Sequence, residues 1–225
     1  MTLVFATENE GKVREASGIL GGLIDLMTPL EAGVEGSAVE DADTLEENSL
    51  KKAAYVYERC GMSCFADDTG LEVDALGGAP GVMTARYAGP EHSDDANIDK
   101  LLRELDRTAG SSAGSGAPGR TARFRTVVTL MLDGEVRRFE GVMEGTIATA
   151  RHGDGGFGYD PVFIPDYLPA AECSYGSLAG QGPGGLVPNA EGLTLAQIPQ
   201  WQKNAISHRG IALRKMASWL SSPGR

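Results

Sequence analysis

Residues 3–6 form a short apolar run that breaks into the polar stretch Thr7-Glu8-Asn9-Glu10-Gly11. Beyond it, Val13, Ala16, Ile19 and Leu20 recur at helical spacing, so the chain is predicted to open strand, loop, helix. Leu50, Ala53, Ala54 and Tyr57 share one face of a second predicted helix over about 44–59, and Thr44-Leu45-Glu46-Glu47 matches a capping box at its start. Residues 62–66 read as a strand running into Asp67-Asp68, and 94–105 as a helix. Two alternating runs, 124–132 and 136–142, flank Asp133-Gly134, which is a two-residue hairpin signal, and 144–150 continue the sheet. A closing helix is predicted from about Ser207, an N-cap residue, with Ile206, Leu213, Met216 and Leu220 on its apolar side. The Gly-rich stretches 110–119 and about 176–192 read as loops, the first of them mobile and on the surface. Helices interleaved with strands, plus a central hairpin, predict an α/β fold on a mixed sheet.

Composition narrows the class. The 225 residues, 41% of them hydrophobic, suit one globular domain over 1–225, in one or two lobes. No apolar run is long enough to span a membrane, and the N-terminus reads as a strand rather than a secretory signal. Three cysteines, at 60, 64 and 173, make no disulfide framework or zinc set and fit a reducing, cytoplasmic setting. The net charge of −11 argues against nucleic acid as a partner. An acidic chain that handles phosphates must gather its few cations locally and recruit a divalent metal.

Five segments carry candidate chemistry. Thr7, Asn9 and Lys12 lie between a strand and a helix N-terminus, where unpaired N–H groups and the dipole favour an anion. The ending of a Walker loop is absent, and an ordinary strand–helix turn remains the plain alternative. Asp67-Asp68-Thr69-Gly70 follows a predicted strand, so the two carboxylates should face opposite ways. One is then free to hold Mg²⁺, which takes one or two carboxylates together with phosphates and waters, while the other bonds local backbone. Glu40 and Glu47 are candidates for a second metal ligand; Glu47 has a capping role to fill, which favours Glu40. Residues 155–161 set Phe157 and Tyr159 among glycines in a chain only 6% aromatic, a composition that suits stacking on a purine or a packed hairpin corner. Lys203, His208 and Arg209 cluster cations at a helix start, where they oppose the dipole, and His or Arg can donate to a 6-oxo purine but finds no acceptor in a 6-amino group.

The order of these segments is more specific than any one of them. Thr-x-Asn-x-x-Lys at 7–12, Glu-Asn at 47–48, Ala-Asp-Asp-Thr-Gly at 66–70, Gly-Gly-Ala-Pro-Gly at 77–81, Ala-Arg-Tyr-Ala-Gly at 85–89, Gly-Phe-Gly-Tyr-Asp-Pro at 156–161 and Ser-His-Arg-Gly at 207–210 follow one another. This series resembles the inosine triphosphate pyrophosphatase-like family, which clears ITP, dITP and XTP. The resemblance implies an elongated mixed sheet flanked by helices, two lobes with a central cleft, a homodimer, and Mg²⁺-dependent hydrolysis of a non-standard purine triphosphate to the monophosphate and pyrophosphate. It also implies residue roles. Thr7, Glu8, Asn9, Glu10, Gly11 and Lys12 would hold phosphates. Asp68 would be base and metal ligand, with Glu40 beside it, and Thr69 would touch substrate. Phe157, Gly158, Tyr159 and Asp160 would hold base and sugar, and Lys203, His208 and Arg209 would reach base and phosphates. Glu8 stands where the family often has Gly. Two other readings compete: a pyrophosphatase for modified or pyrimidine nucleotides, and a nucleotide-binding module without catalysis.

Overall fold

The computed structural model describes residues 1–111, 119–170 and 185–222. Its strands are β1 (Thr2–Phe5), β2 (Asp25–Met27), β3 (Cys64–Val73), β4 (Pro80–Gly81), β5 (Thr121–Leu132), β6 (Glu135–Ile147), β7 (Phe163–Pro165), β8 (Tyr167–Pro169) and β9 (Leu186–Pro188). Its helices are α1 (Glu10–Leu20), α2 (Leu45–Cys60), α3 (Asp94–Ser111), α4 (Gln200–Ile206) and α5 (His208–Leu220). Seven strands form one sheet in the order β2-β1-β3-β5-β6-β7, with β4 on β3, and β8 pairs separately with β9. β1 runs parallel to β2 and β3, whereas β4 and β7 pair antiparallel, so the sheet is mixed and helix-flanked as the pattern predicts. Asp133 (φ 51°) and Gly134 (φ 86°) make the β5–β6 turn, in the left-handed region that such two-residue turns require.

The chain divides into two compact units. The first comprises 1–69, 126–142 and 207–225, and the second 70–125 and 143–206.

In the first unit, strand alternation sorts side chains onto two helical layers. Leu3, Phe5 and Phe65 pack with Ala16 and Leu20 of α1 and with Leu213 and Met216 of α5. Val4, Cys64 and Ala66 face the other way, onto Ala53 and Val56 of α2. The register that pairs Phe5 with Phe65 stacks their rings at 4.4 Å.

In the second unit, Ile98, Leu101 and Leu105 of α3 pack on Leu71, Val73, Phe124 and Phe163. Asn97, buried near the start of α3, accepts from Ala88 N at 2.7 Å and donates to Ala85 O at 3.0 Å. Those bonds explain the Ala-Arg-Tyr-Ala-Gly segment as architecture: a short loop clamped by a buried amide.

Three boundaries differ from the sequence expectation. β3 does not stop before the Asp-Asp pair but continues through it to Val73, because Leu71 and Val73 find an apolar partner in α3. α3 runs on to Ser111, so part of the predicted loop at 110–119 is helix, and 112–118 lie outside the described residues. Of the predicted loop at 176–192, 186–188 form β9, and 176–184 lie outside the described residues, as does Cys173. No helix among the described residues is long and apolar enough to cross a membrane.

Candidate active site

The first unit builds its site from three elements. Asn9 caps α1, its Oδ1 accepting from Lys12 N at 3.1 Å, while Thr7 Oγ1 accepts from Asn9 N at 3.2 Å. The two oxygens therefore shape the loop as acceptors. Glu8 and Glu10 are exposed, and Glu10 lies 3.6 Å from Arg14.

The alternation that sorts the core also sorts the aspartates. Asp67 follows Phe65 to the α1/α5 side. There its Oδ1 accepts from Lys12 Nζ at 3.0 Å and its Oδ2 from Arg209 Nε at 2.7 Å. Arg209 is itself buried. It donates to Glu15 and, at 3.4 Å, to Thr69 Oγ1, which meets Thr126 Oγ1 at 2.7 Å. Burial alone would raise the Asp67 carboxyl, but Lys12 and Arg209 outweigh it and hold the group well below the usual carboxylate range. Burial pushes the Lys12 ammonium down, only partly offset by Asp67. The expectation that one aspartate bonds local backbone is thus corrected: Asp67 bonds cationic side chains from two helices.

Asp68 follows Ala66 to the α2 side. Lys52 Nζ lies 2.7 Å from Asp68 Oδ1 and 2.8 Å from Glu40 Oε2. Two carboxylates thus converge on one cation. Burial raises the Asp68 carboxyl, assisted by the nearby Glu40 charge, against the pull of Lys52 and Lys12. Glu40 ends below its usual value because Lys52 overcomes its burial. Asn48 places Glu40's loop, accepting from Ala42 N at 3.0 Å and donating to Ala42 O at 3.3 Å. Glu47 does not compete for this role, since Thr44 caps α2 through Glu47 N at 3.2 Å and its hydroxyl donates to Glu47 Oε2 at 3.0 Å.

His208 and Arg209 begin α5, and Ser207 caps it, accepting from Gly210 N at 3.0 Å. Gly141 lets this start approach β6, because a methyl group there would overlap His208 O. Lys203 is not at that helix start as the sequence suggested. It lies inside α4, and Ser207 separates the two helices.

The second unit brings Lys203 to the aromatic loop. Lys203 Nζ donates to Asp160 Oδ2 at 2.6 Å and sits 4.5 Å from the Phe157 ring centroid. Both charged partners are buried, whereas Phe157 is 37% exposed. Asp160 Oδ2 also accepts from Phe157 N at 2.9 Å. Tyr159 is buried, with its hydroxyl donating to Thr84 O at 3.0 Å. Of the two aromatics, Phe157 has a partly exposed ring, whereas Tyr159 is core.

Two site residues, Lys52 and Glu15, escaped the sequence reading, as did the anchoring role of Asp67. Lys52 falls on the stripe of α2 that buries Leu45, Asn48, Ser49, Ala53 and Val56, and Glu15 sits beside buried Ala16 in α1. A charge inside an apolar helical stripe needs a buried partner, and that is the signal available in the sequence.

A sequence model of the Ham1 family matches residues 3–180 and 184–219. A dITP/XTP pyrophosphatase of Christiangramia forsetii is 41% identical over 221 residues, 98% of this chain and 100% of that protein. A dITP/XTP pyrophosphatase of Porphyromonas gingivalis is 42% identical over 219 residues, 97% of this chain and 96% of that protein. The solved HAM1 protein from Coxiella burnetii is 31% identical, with a TM-score of 0.78 and 98% of each chain covered. Family match, identity and fold agree over nearly the whole length, and the chain belongs to the Ham1 family.

Proposed function

We propose that this protein hydrolyses ITP, dITP and XTP, with Mg²⁺, to the nucleoside monophosphate and pyrophosphate. The observation that carries the reading is the convergence of Asp68 and Glu40 on a single cation, the Lys52 ammonium. Relatives named dITP/XTP pyrophosphatase supply the substrate class.

The donor set fits Mg²⁺. Two hard carboxylate oxygens within reach of one positive charge match an ion that takes one or two carboxylates and leaves its other positions to phosphates and water. Asp68 and Glu40 would hold the ion, which when bound neutralises phosphate charge and lowers the pKa of a coordinated water. Asp68 accepts the proton of the attacking water. A carboxyl whose pKa is raised by burial is a better base than an exposed one at neutral pH. The bond broken is the anhydride between the α- and β-phosphates, the water oxygen stays on one product, and pyrophosphate leaves.

The loop at 7–12 offers backbone N–H groups and the positive end of α1 to the phosphates. Lys12 pairs with Asp67 and Lys52 with Asp68, and each can turn from its acid to a phosphate oxygen. Arg209 holds Asp67 and Thr69 in place, which makes its role supporting. Phe157 stacks on the base, with Lys203 and Asp160 behind it. His208 is the donor for a 6-oxo group. One nucleotide pyrophosphatase domain over the whole chain, a homodimer and a cytoplasmic setting complete the reading. Cys60 and Cys64, free among the described residues, fit a reducing compartment, and the homodimer follows from the family resemblance.

The test is an assay of ITP, dITP, XTP, GTP and ATP with Mg²⁺, with products identified. Pyrophosphate and monophosphate from the 6-oxo, non-standard substrates are expected. Release of inorganic phosphate and a diphosphate overturns the reading, and tight ITP binding without turnover makes the protein a binding module.

A further inference from the structure

Glycines leave the backbone around Phe157 free to turn. Gly156 (φ 78°) and Gly158 (φ 60°) flank it in conformations that glycine adopts freely, and the ring is partly exposed. Two backbone hydrogen bonds restrict it instead. Phe157 N donates to Asp160 Oδ2 at 2.9 Å, and Gly158 N donates to Asp94 Oδ2 at 2.7 Å. Consecutive N–H groups, one on either side of the Phe157 Cα, are each held by a carboxylate.

The two carboxylates differ in setting. Asp160 is buried and ion-paired with Lys203. Asp94 is exposed and is the first residue of α3. The same turn of α3 ties down the beginning of the loop: Arg151 Nη2 donates to Asp95 O at 2.9 Å and pairs with Asp99 Oδ1 at 2.8 Å.

We propose that Asp94 is a positioning residue for the purine platform, fixing the Phe157–Gly158 peptide through Gly158 N–H and so the orientation of the Phe157 ring. The proposal rests on the reading of Phe157 as the base-stacking residue. Asp94 touches no substrate; it acts by removing the freedom that two glycines give the loop, and the expected effect falls on binding rather than on the chemical step.

The competing role, a charge that merely stabilises the start of α3, is separable by two substitutions. Asp94→Asn keeps an oxygen acceptor for Gly158 N–H but loses the charge, whereas Asp94→Ala loses both. For positioning, Asp94→Ala raises KM for ITP about fivefold with kcat within about twofold of the parent, and Asp94→Asn stays close to the parent. Hydrogen exchange of the Gly158 amide, measured without nucleotide, speeds up in Asp94→Ala and not in Asp94→Asn. An unchanged KM and amide in Asp94→Ala, or equal changes in both variants, overturns the proposal. If the parent protein does not turn over ITP, the function reading fails by itself, and the Gly158 amide still reports whether Asp94 holds the loop.

Discussion

Asp67 and Asp68 are adjacent in β3, yet their carboxylates bind different lysines, Lys12 at 3.0 Å and Lys52 at 2.7 Å, on helices that cover opposite faces of the strand. Their substitutions should therefore fail in different ways. Asp67→Asn leaves buried Arg209 and half-buried Lys12 short of a partner, and a loss of about 3–5 kcal/mol in urea unfolding is expected. Asp68→Asn keeps the fold but lowers kcat about a hundredfold or more. Equal stability losses for the two variants would contradict this division.

Acid unfolding should report Asp67. Its folded pKa is depressed, so its contribution is fully present above the unfolded carboxylate value of about 3.9 and is lost as pH falls from there toward the folded pKa. The slope of stability against pH below about 4 should flatten in Asp67→Asn, as followed by circular dichroism across an acid titration.

Activity should respond to acid earlier than stability does. The Asp68 carboxyl is raised by burial, so it takes up a proton at a higher pH than an ordinary aspartate and then ceases to act as a base. A proton and Mg²⁺ compete for the same oxygens. Raising Mg²⁺ should move the acid limb of kcat/KM to lower pH, and a limb insensitive to Mg²⁺ would separate Asp68 from the metal.

Phe157→Ala should weaken ITP binding by the stacking contribution, about 1–3 kcal/mol, seen as a higher KM with kcat less affected. Phe157→Trp should restore it.

Gly156→Ala tests the loop from inside. A methyl group at Gly156 would overlap Asp160 Oδ2, and φ is already 78°. Either Asp160 shifts away from Lys203 or the loop moves, and in both cases KM should rise without loss of the fold. A parent-like KM would mean that the Asp160–Lys203 pair is irrelevant to binding.

Much of this was legible from periodicity. The apolar stripes of α1 and α5, the Asp133-Gly134 turn and the caps at Thr44 and Ser207 fall where the pattern puts them, because each depends on neighbours within a few residues. By contrast, α2 buries Leu45, Asn48, Ser49, Ala53 and Val56, and of the predicted face Leu50, Ala53, Ala54 and Tyr57 only Ala53 is buried. The resemblance supplied the order of the site segments. What it did not supply is which cation meets which acid. Arg209 and Asp67 are 142 residues apart, and Lys52 is a charge set within the buried stripe of α2. Such pairings depend on how the strands and helices stack, which local spacing does not encode. The extension of β3 to Val73 has the same origin: Asp-Asp-Thr-Gly looks like a turn until a partner for Leu71 and Val73 is present.

The alternation in β3 also constrains how the gene can change. Substitutions along the strand alter one face at a time, but a one-residue deletion ahead of Asp67 would slide the pair and exchange their sides. Asp68 would then meet Lys12 and Arg209, and Thr69 would stand in the place of the base. Neither aspartate can cover for the other, so this segment should accept point changes on its margins and reject any change of length.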